Sequence, residues 1–81
     1  MPRLAATTSE IMDRHFRAAY RAGLEMKGLK NRNIATLLNK SEKTVAKKRD
    51  YPETLTVFEL RAIAAKLNFT PEQVTKMILK P

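Results

Sequence analysis

No cysteine occurs among the 81 residues, which excludes a disulfide framework or a thiolate metal site and leaves packing alone to hold the fold. The absence suits a reducing compartment, and a cytoplasmic location is expected. With one histidine and two glycines there is no Gly-rich phosphate loop, no partner at ligand spacing for His15, and no carboxylate pair spaced for acid-base work. Catalysis, a metal, a cofactor and a small-molecule substrate are therefore not expected. Long apolar runs are missing as well. No stretch approaches the roughly 18 apolar residues of a membrane span, and the opening MPRLAATTSE lacks the apolar centre of a signal peptide, so a soluble chain without membrane association is expected. Strand-type alternation, repeats and low-complexity segments are absent from the pattern. A chain of this length buries about 60 to 65% of the surface it exposes unfolded, enough for one small domain.

What the chain has is charge of one sign, gathered in one place. The formal net charge is +8. Residues 1–26 carry four basic and three acidic side chains, and residues 50–81 carry four of each. Residues 27–49 hold Lys27, Lys30, Arg32, Lys40, Lys43, Lys47, Lys48 and Arg49 against Glu42 alone, so nearly the whole imbalance sits in that block. A localised cationic excess is the footprint of a polyanion-binding face, because each phosphate it neutralises releases condensed counterions.

Periodicity places those charges on helices. From Thr8 to about Lys27, Met12, Phe16, Ala19, Tyr20, Gly23, Leu24 and Met26 recur at spacings of three and four, the pattern of one buried stripe. Thr7 and Glu10 form a capping box at its start. Residues 1–7 read as a flexible N-terminal arm, and residues 8–81 as the domain. Gly28 ends the first helix, and Leu29 is placed to staple onto Ile34 of a short second helix running to about Leu38, with Ile34, Ala35, Leu37 and Leu38 inward. Asn39 stands where a tight turn needs a left-handed residue. Ser41 caps a third helix, about 42–50, whose inward residue is Val45 with Ala46 as a second contact. Pro52 stops it and makes Tyr51 extended. A fourth helix follows the Thr56/Glu59 box with Val57, Leu60, Ile63, Ala64 and Leu67 buried. A fifth follows the Thr70/Gln73 box with Pro71 at its first position and Val74, Met77 and Ile78 inward. His15, Tyr20, Phe58 and Phe69 are expected in packing or an interface, since none interleaves with the basic block. The predicted fold class is all-α.

Two short helices joined by about three residues, the second basic and almost free of apolar side chains, have the layout of a helix-turn-helix at about residues 31–50. In that layout the third helix lies in the major groove, which is about 12 Å wide and admits one α-helix. Lys43 and Lys47, four apart, repel each other by a few tenths of a kcal/mol, which favours use over a merely solvated face.

The stretch GLKNRNIATLLNKSEKTVAKK through PETLTVFELRAIAAKLNFTPEQV, roughly residues 28–74, resembles the Cro and CI-type (lambda repressor-like) helix-turn-helix family. The small Ala35, the apolar Val45 and the ELRAIAAKLNFTPEQV ending carry the likeness, and the P-E-T-x-T-x-x-E-L join is similar to that of short phage-encoded members. The resemblance implies a compact five-helix domain, here with an extended first helix, that binds double-stranded operator DNA, usually as a homodimer. It implies a phage- or prophage-type transcriptional regulator, in the first place a repressor. By the same resemblance Glu42, Lys43 and Lys47 face bases, and Asn31, Arg32, Lys40, Ser41, Thr44, Lys48 and Arg49 meet the DNA backbone. Glu42 can accept from a cytosine amino group or serve only as a dipole complement at its helix start. Thr44 has a phosphate and a thymine methyl as alternatives. The chain departs from the family in four places: Lys30 for the capping Ser or Thr, Asn39 for glycine, Lys40 for an apolar turn residue, and Lys48 or Arg49 for the apolar anchor at the far end of the third helix. Either Tyr51 folds back to anchor that end or the helix is short and orders on a ligand. A different class of function is also open: the same scaffold as a protein-interaction module, a modulator of a repressor or inhibitor of a nucleic-acid enzyme, holding its partner through the apolar stripe of the long first helix.

Overall fold

The computed structural model describes residues 7–81. The expected N-terminal arm, Thr7 apart, lies outside the described residues. Five helices follow in order: α1 (Thr8–Lys27), α2 (Asn31–Leu38), α3 (Glu42–Asp50), α4 (Val57–Leu67) and α5 (Pro71–Ile78), with a one-turn 3-10 helix at Pro52–Thr54 between α3 and α4. No strand occurs among the described residues.

Local chemistry sets these boundaries. The Thr7 hydroxyl accepts from the Glu10 N–H at 3.1 Å and donates back to the Glu10 carboxylate at 3.2 Å. Reciprocal boxes open α4, through Thr56 and Glu59, and α5, through Thr70 and Gln73. Each satisfies donors the first turn leaves without intrahelical partners. Lys30 has no side chain able to cap α2. Asn33 supplies the other half of the arrangement, its Oδ1 accepting from the Lys30 N–H at 2.8 Å. The helices α1, α2 and α4 all end on a left-handed residue, Gly28, Asn39 and Asn68. Asn39 takes the conformation expected of it, at φ 57°, with its N–H on the Thr36 carbonyl and the Lys40 N–H on the Ala35 carbonyl, the paired closure of a Schellman turn.

The core draws on every helix: Phe16, Ala19 and Tyr20 from α1, Ile34, Ala35 and Leu38 from α2, Val45 from α3, Ile63 and Leu67 from α4, and Met77 from α5. Burial of each large apolar side chain stabilises by about 1.5 to 3 kcal/mol. The long α1 packs along α5 and also meets α3 and α4. It approaches α4 so closely at Gly23 that a Cβ there would stand 2.7 Å from the Leu67 Cβ. Phe69 closes the loop before α5 by setting its ring edge-on to Phe16, centroids 6.3 Å apart.

Four residues expected inside lie outside. Met26 is 85% exposed, Val57 66%, Ile78 44% and Leu37 41%. At about 100° of rotation per residue, Val57 stands about 120° from Ile63, Ile78 about 100° from Met77, and Leu37 about 160° from Ala35, each off the stripe its helix buries, whereas Met26 shares the side of the buried Ala19 but stands in the last turn of α1. Phe58, expected in packing or an interface, is 74% exposed, whereas Tyr20 is buried and Phe69 and His15 are half-buried.

Candidate nucleic-acid interface

The basic block folds as α2, a three-residue turn (Asn39, Lys40, Ser41) and α3. Ser41 begins α3 by accepting from the Thr44 N–H at 3.1 Å, and its hydroxyl donates to Thr44 Oγ1 at 2.9 Å. Val45, 2% exposed, is the buried residue of α3, and it fixes which side of that helix faces the core. With Val45 inward, Lys43 and Lys47 project into solvent one turn apart, and Glu42, Lys40 and Arg32 are exposed as well. Glu42, Lys43, Lys47, Lys40 and Arg32 are thus all open to solvent. Ser41 is exposed and Thr44 half-buried at its edge.

Lys48 departs from its expected role. Its side chain is only 17% exposed, and the ammonium lies 3.1 Å from Glu59 Oε1 and donates to the Thr54 carbonyl at 2.8 Å. A cation committed to a buried carboxylate and a backbone oxygen is withdrawn from the surface a duplex would meet. Its position on α3 accounts for this: Lys48 lies three residues past Val45, back toward the buried side. The far end of α3 is thus anchored by an ion pair where an apolar residue was expected. Neither of the two arrangements considered for that end occurs: Tyr51 is 55% exposed, and α3 runs to Asp50. Arg17 of α1 adds a second tie, its guanidinium donating to the Asp50 carbonyl at 3.3 Å.

Glu59 is buried, at 6% exposure. Burial acts to raise its pKa, but the Thr56 N–H, the Lys48 ammonium and the Thr56 hydroxyl together outweigh burial and hold the carboxyl below its ordinary range. Arg49, half-buried, makes a two-point contact with the neighbouring Asp50, with Nε at 3.1 Å and Nη2 at 3.4 Å from its two carboxylate oxygens.

Asn31, at the first position of α2, is half-buried and accepts at Oδ1 from the Tyr20 hydroxyl at 2.8 Å. That bond takes one of the two acceptor sites of the amide oxygen and leaves the amide N–H₂ as donors. Burial pushes the Tyr20 phenol up to about 12, partly offset by the Arg49 charge. Tyr20 is therefore a neutral donor throughout the physiological range.

Glu59, Tyr20 and Arg17, which position this surface, were not among the expected site residues. One sequence signal for Glu59 existed: the Thr56 box placed its carboxylate at a helix start, where it needs donors. Periodicity places Tyr20 in the buried stripe and says nothing about its hydroxyl.

Among the described residues there is no group of three or more His, Asp or Glu that could hold a metal ion, and no helix is long and apolar enough to cross a membrane. Comparisons with protein-family models, curated proteins and solved structures returned no match to this chain.

Proposed function

We propose that the protein is a cytoplasmic, sequence-specific binder of double-stranded DNA, a phage- or prophage-type transcriptional regulator that represses by blocking promoter access. In this reading α2 and α3 form a lambda repressor-like helix-turn-helix, α3 enters the major groove, and no catalytic step is involved. One observation carries it: Lys43 and Lys47 stand one turn apart on the solvent side of a helix whose opposite side is pinned by Val45 and Lys48. A cationic helix with a free polar face and a braced rear has the dimensions a major groove accepts. Glu42, Lys43 and Lys47 address base edges. Asn31, Arg32, Lys40, Ser41 and Thr44 address the phosphates, Asn31 through the amide N–H₂ that the Tyr20 bond leaves available, whereas Arg49, four residues past Val45 and held by Asp50, is withdrawn as Lys48 is.

Selection from a random duplex library at about 150 mM salt tests the proposal, since specific binding survives the screening that weakens nonspecific contacts. Enrichment of a motif supports it, and recovery of no motif overturns it.

A second reading, a protein-interaction module, draws on another observation. The α1 stripe that would have served a partner is largely covered, but Val57 and Phe58, 66% and 74% exposed, form an adjacent apolar pair at the start of α4. The same pair suits a second copy of the chain. Light scattering on the wild type and Phe58→Ser separates the cases: a dimer lost in the variant assigns the pair to self-association.

A further inference from the structure

A groove of about 450 Å³ lies between the start of α1, the 3-10 turn and the helices α4 and α5. The buried Phe16 and Met77, with Leu55 and Leu60, give it an apolar floor, and Asp13 of α1 and Glu53 of the 3-10 turn stand along it. Its volume falls within the range of about 300 to 1,000 Å³ typical of small-ligand sites. None of these residues belongs to the basic block.

Charge decides the occupant. Among the described residues neither Asp13 nor Glu53 has an ion-pair partner. Arg17, whose charge Asp13 feels, turns its guanidinium to the Asp50 carbonyl instead. Burial raises the Asp13 carboxyl, and the neighbouring Glu53 raises it further, against the Arg17 charge. Two carboxylates that repel each other beside an apolar floor are relieved by one cation placed between them. The net charge of +8 is concentrated in residues 27–49, none of which lines the groove.

We propose that this groove binds a small organic cation with an apolar body, its alkyl or aryl part over Phe16, Leu60 and Met77 and its ammonium held by Asp13 and Glu53. The site also touches the proposed recognition helix. Pro52, Glu53 and Leu55 line the groove, and the carbonyl that receives Lys48 belongs to Thr54, inside that segment. A ligand that holds residues 52–55 therefore favours the arrangement that anchors α3. The binding step does not depend on the DNA-binding proposal and is tested apart from it.

The test is titration of the ¹⁵N-labelled full chain with 4-phenylbutylamine, followed by amide shifts, with 4-phenylbutanol and 4-phenylbutyrate as neutral and anionic controls. Saturable shifts confined to residues around Asp13, Glu53, Leu60 and Met77 are expected. Two solvent-edge ion pairs should make the amine about twofold to thirtyfold tighter than the alcohol. The anion should bind more weakly still. In Asp13→Asn/Glu53→Gln, whose fold is checked by circular dichroism, the amine and alcohol should become equal. Equal binding of amine and alcohol by the wild type, shifts scattered over the surface, or no saturation overturns the proposal. So do contacts in the ligand-free protein that fill the groove with residues 1–6 or with a second copy.

Discussion

The Lys48 ammonium stands 3.1 Å from the Glu59 carboxylate and joins the end of α3 to the first turn of α4. The same carboxylate oxygen accepts from the Thr56 N–H at 2.9 Å, so one buried acid both starts a helix and fastens its neighbour. Glu59→Ala removes the cap and leaves Lys48 without its counter-charge. It should cost about 2 to 4 kcal/mol of stability. Urea denaturation measures this, and Lys48→Met combined with Glu59→Met should recover part of the loss, because no charge then remains without a partner.

The pair also sets an acid limit. The folded carboxyl of Glu59 lies below its ordinary value, so the folded chain holds this proton less tightly than the unfolded chain. The stability it contributes is fully present above about pH 4.3, the usual glutamate value, and is lost as pH falls through the folded value. Wild type should lose stability between about pH 5 and pH 3 more steeply than Glu59→Gln, whose amide does not titrate. Melting temperatures across that range decide the matter, and parallel curves would remove Glu59 from the account.

Lysines 43, 47 and 48 should separate by phenotype. If Lys43 and Lys47 read guanines, replacement of either by alanine costs about 1 to 3 kcal/mol of binding and relaxes base preference. Lys48→Ala should lower the melting temperature while leaving the preferred sequence unchanged. Arg32→Ala or Lys40→Ala should weaken all sequences alike and reduce the salt slope by about 0.9 for each phosphate lost. Fluorescence anisotropy on a selected duplex and a scrambled one, at several salt concentrations, reads these quantities.

Gly23→Ala should destabilise although alanine is the better helix former. The gain in helix propensity is about 1 kcal/mol. The new Cβ would meet the Leu67 Cβ at 2.7 Å, with two further Leu67 atoms at 3.2 Å, and overpacking of this kind costs about 1 to 3 kcal/mol. The contact is with a Cβ, which moves only with its backbone. A loss that shrinks when Leu67→Gly, which removes that Cβ, is added, in a double-mutant cycle by urea denaturation, would assign the cost to this contact.

Tyr20 sets an alkaline limit. Its phenol, pushed up to about 12, favours the protonated form in the fold. The associated stability is therefore full below about pH 10, the ordinary tyrosine value, and is lost as pH rises through the folded one. In a Tyr51→Phe background, absorbance near 295 nm should report a Tyr20 midpoint near 12. Tyr20→Phe should cost about 1 kcal/mol for the lost bond to Asn31.

Helix ends were legible in the chain because their chemistry is local. A Thr and a Glu or Gln three apart, or an asparagine after an apolar run, acts within one turn, and Thr56, Thr70 and Asn39 behave accordingly. The buried stripe was legible at its centre, in Phe16, Tyr20, Ile34, Ile63 and Met77. It is less legible at its edges: Leu37, Val57 and Ile78 are apolar but rotated off the buried stripe, and Met26 keeps to the buried side of α1 but stands in its last turn. That Lys48 rather than Lys47 turns inward is legible in its spacing from Val45, but what it meets there is not, because the carboxylate lies eleven residues later on another helix. The Asp13–Glu53 groove was hidden for the same reason: its two acids meet only after α1 and the 3-10 turn are assembled.

The 100° between adjacent positions on α3 gives Lys47 and Lys48 unlike lives. One points outward with nothing depending on it inside the molecule, and the next clamps two helices. On the proposed DNA-binding function, positions 42, 43 and 47 could therefore be rewritten by mutation, and a new target sequence acquired, without the scaffold being renegotiated. Position 48 is closed to such drift unless position 59 changes with it. Among descendants of this chain, variety should accumulate on one side of the helix and a matched pair should persist on the other.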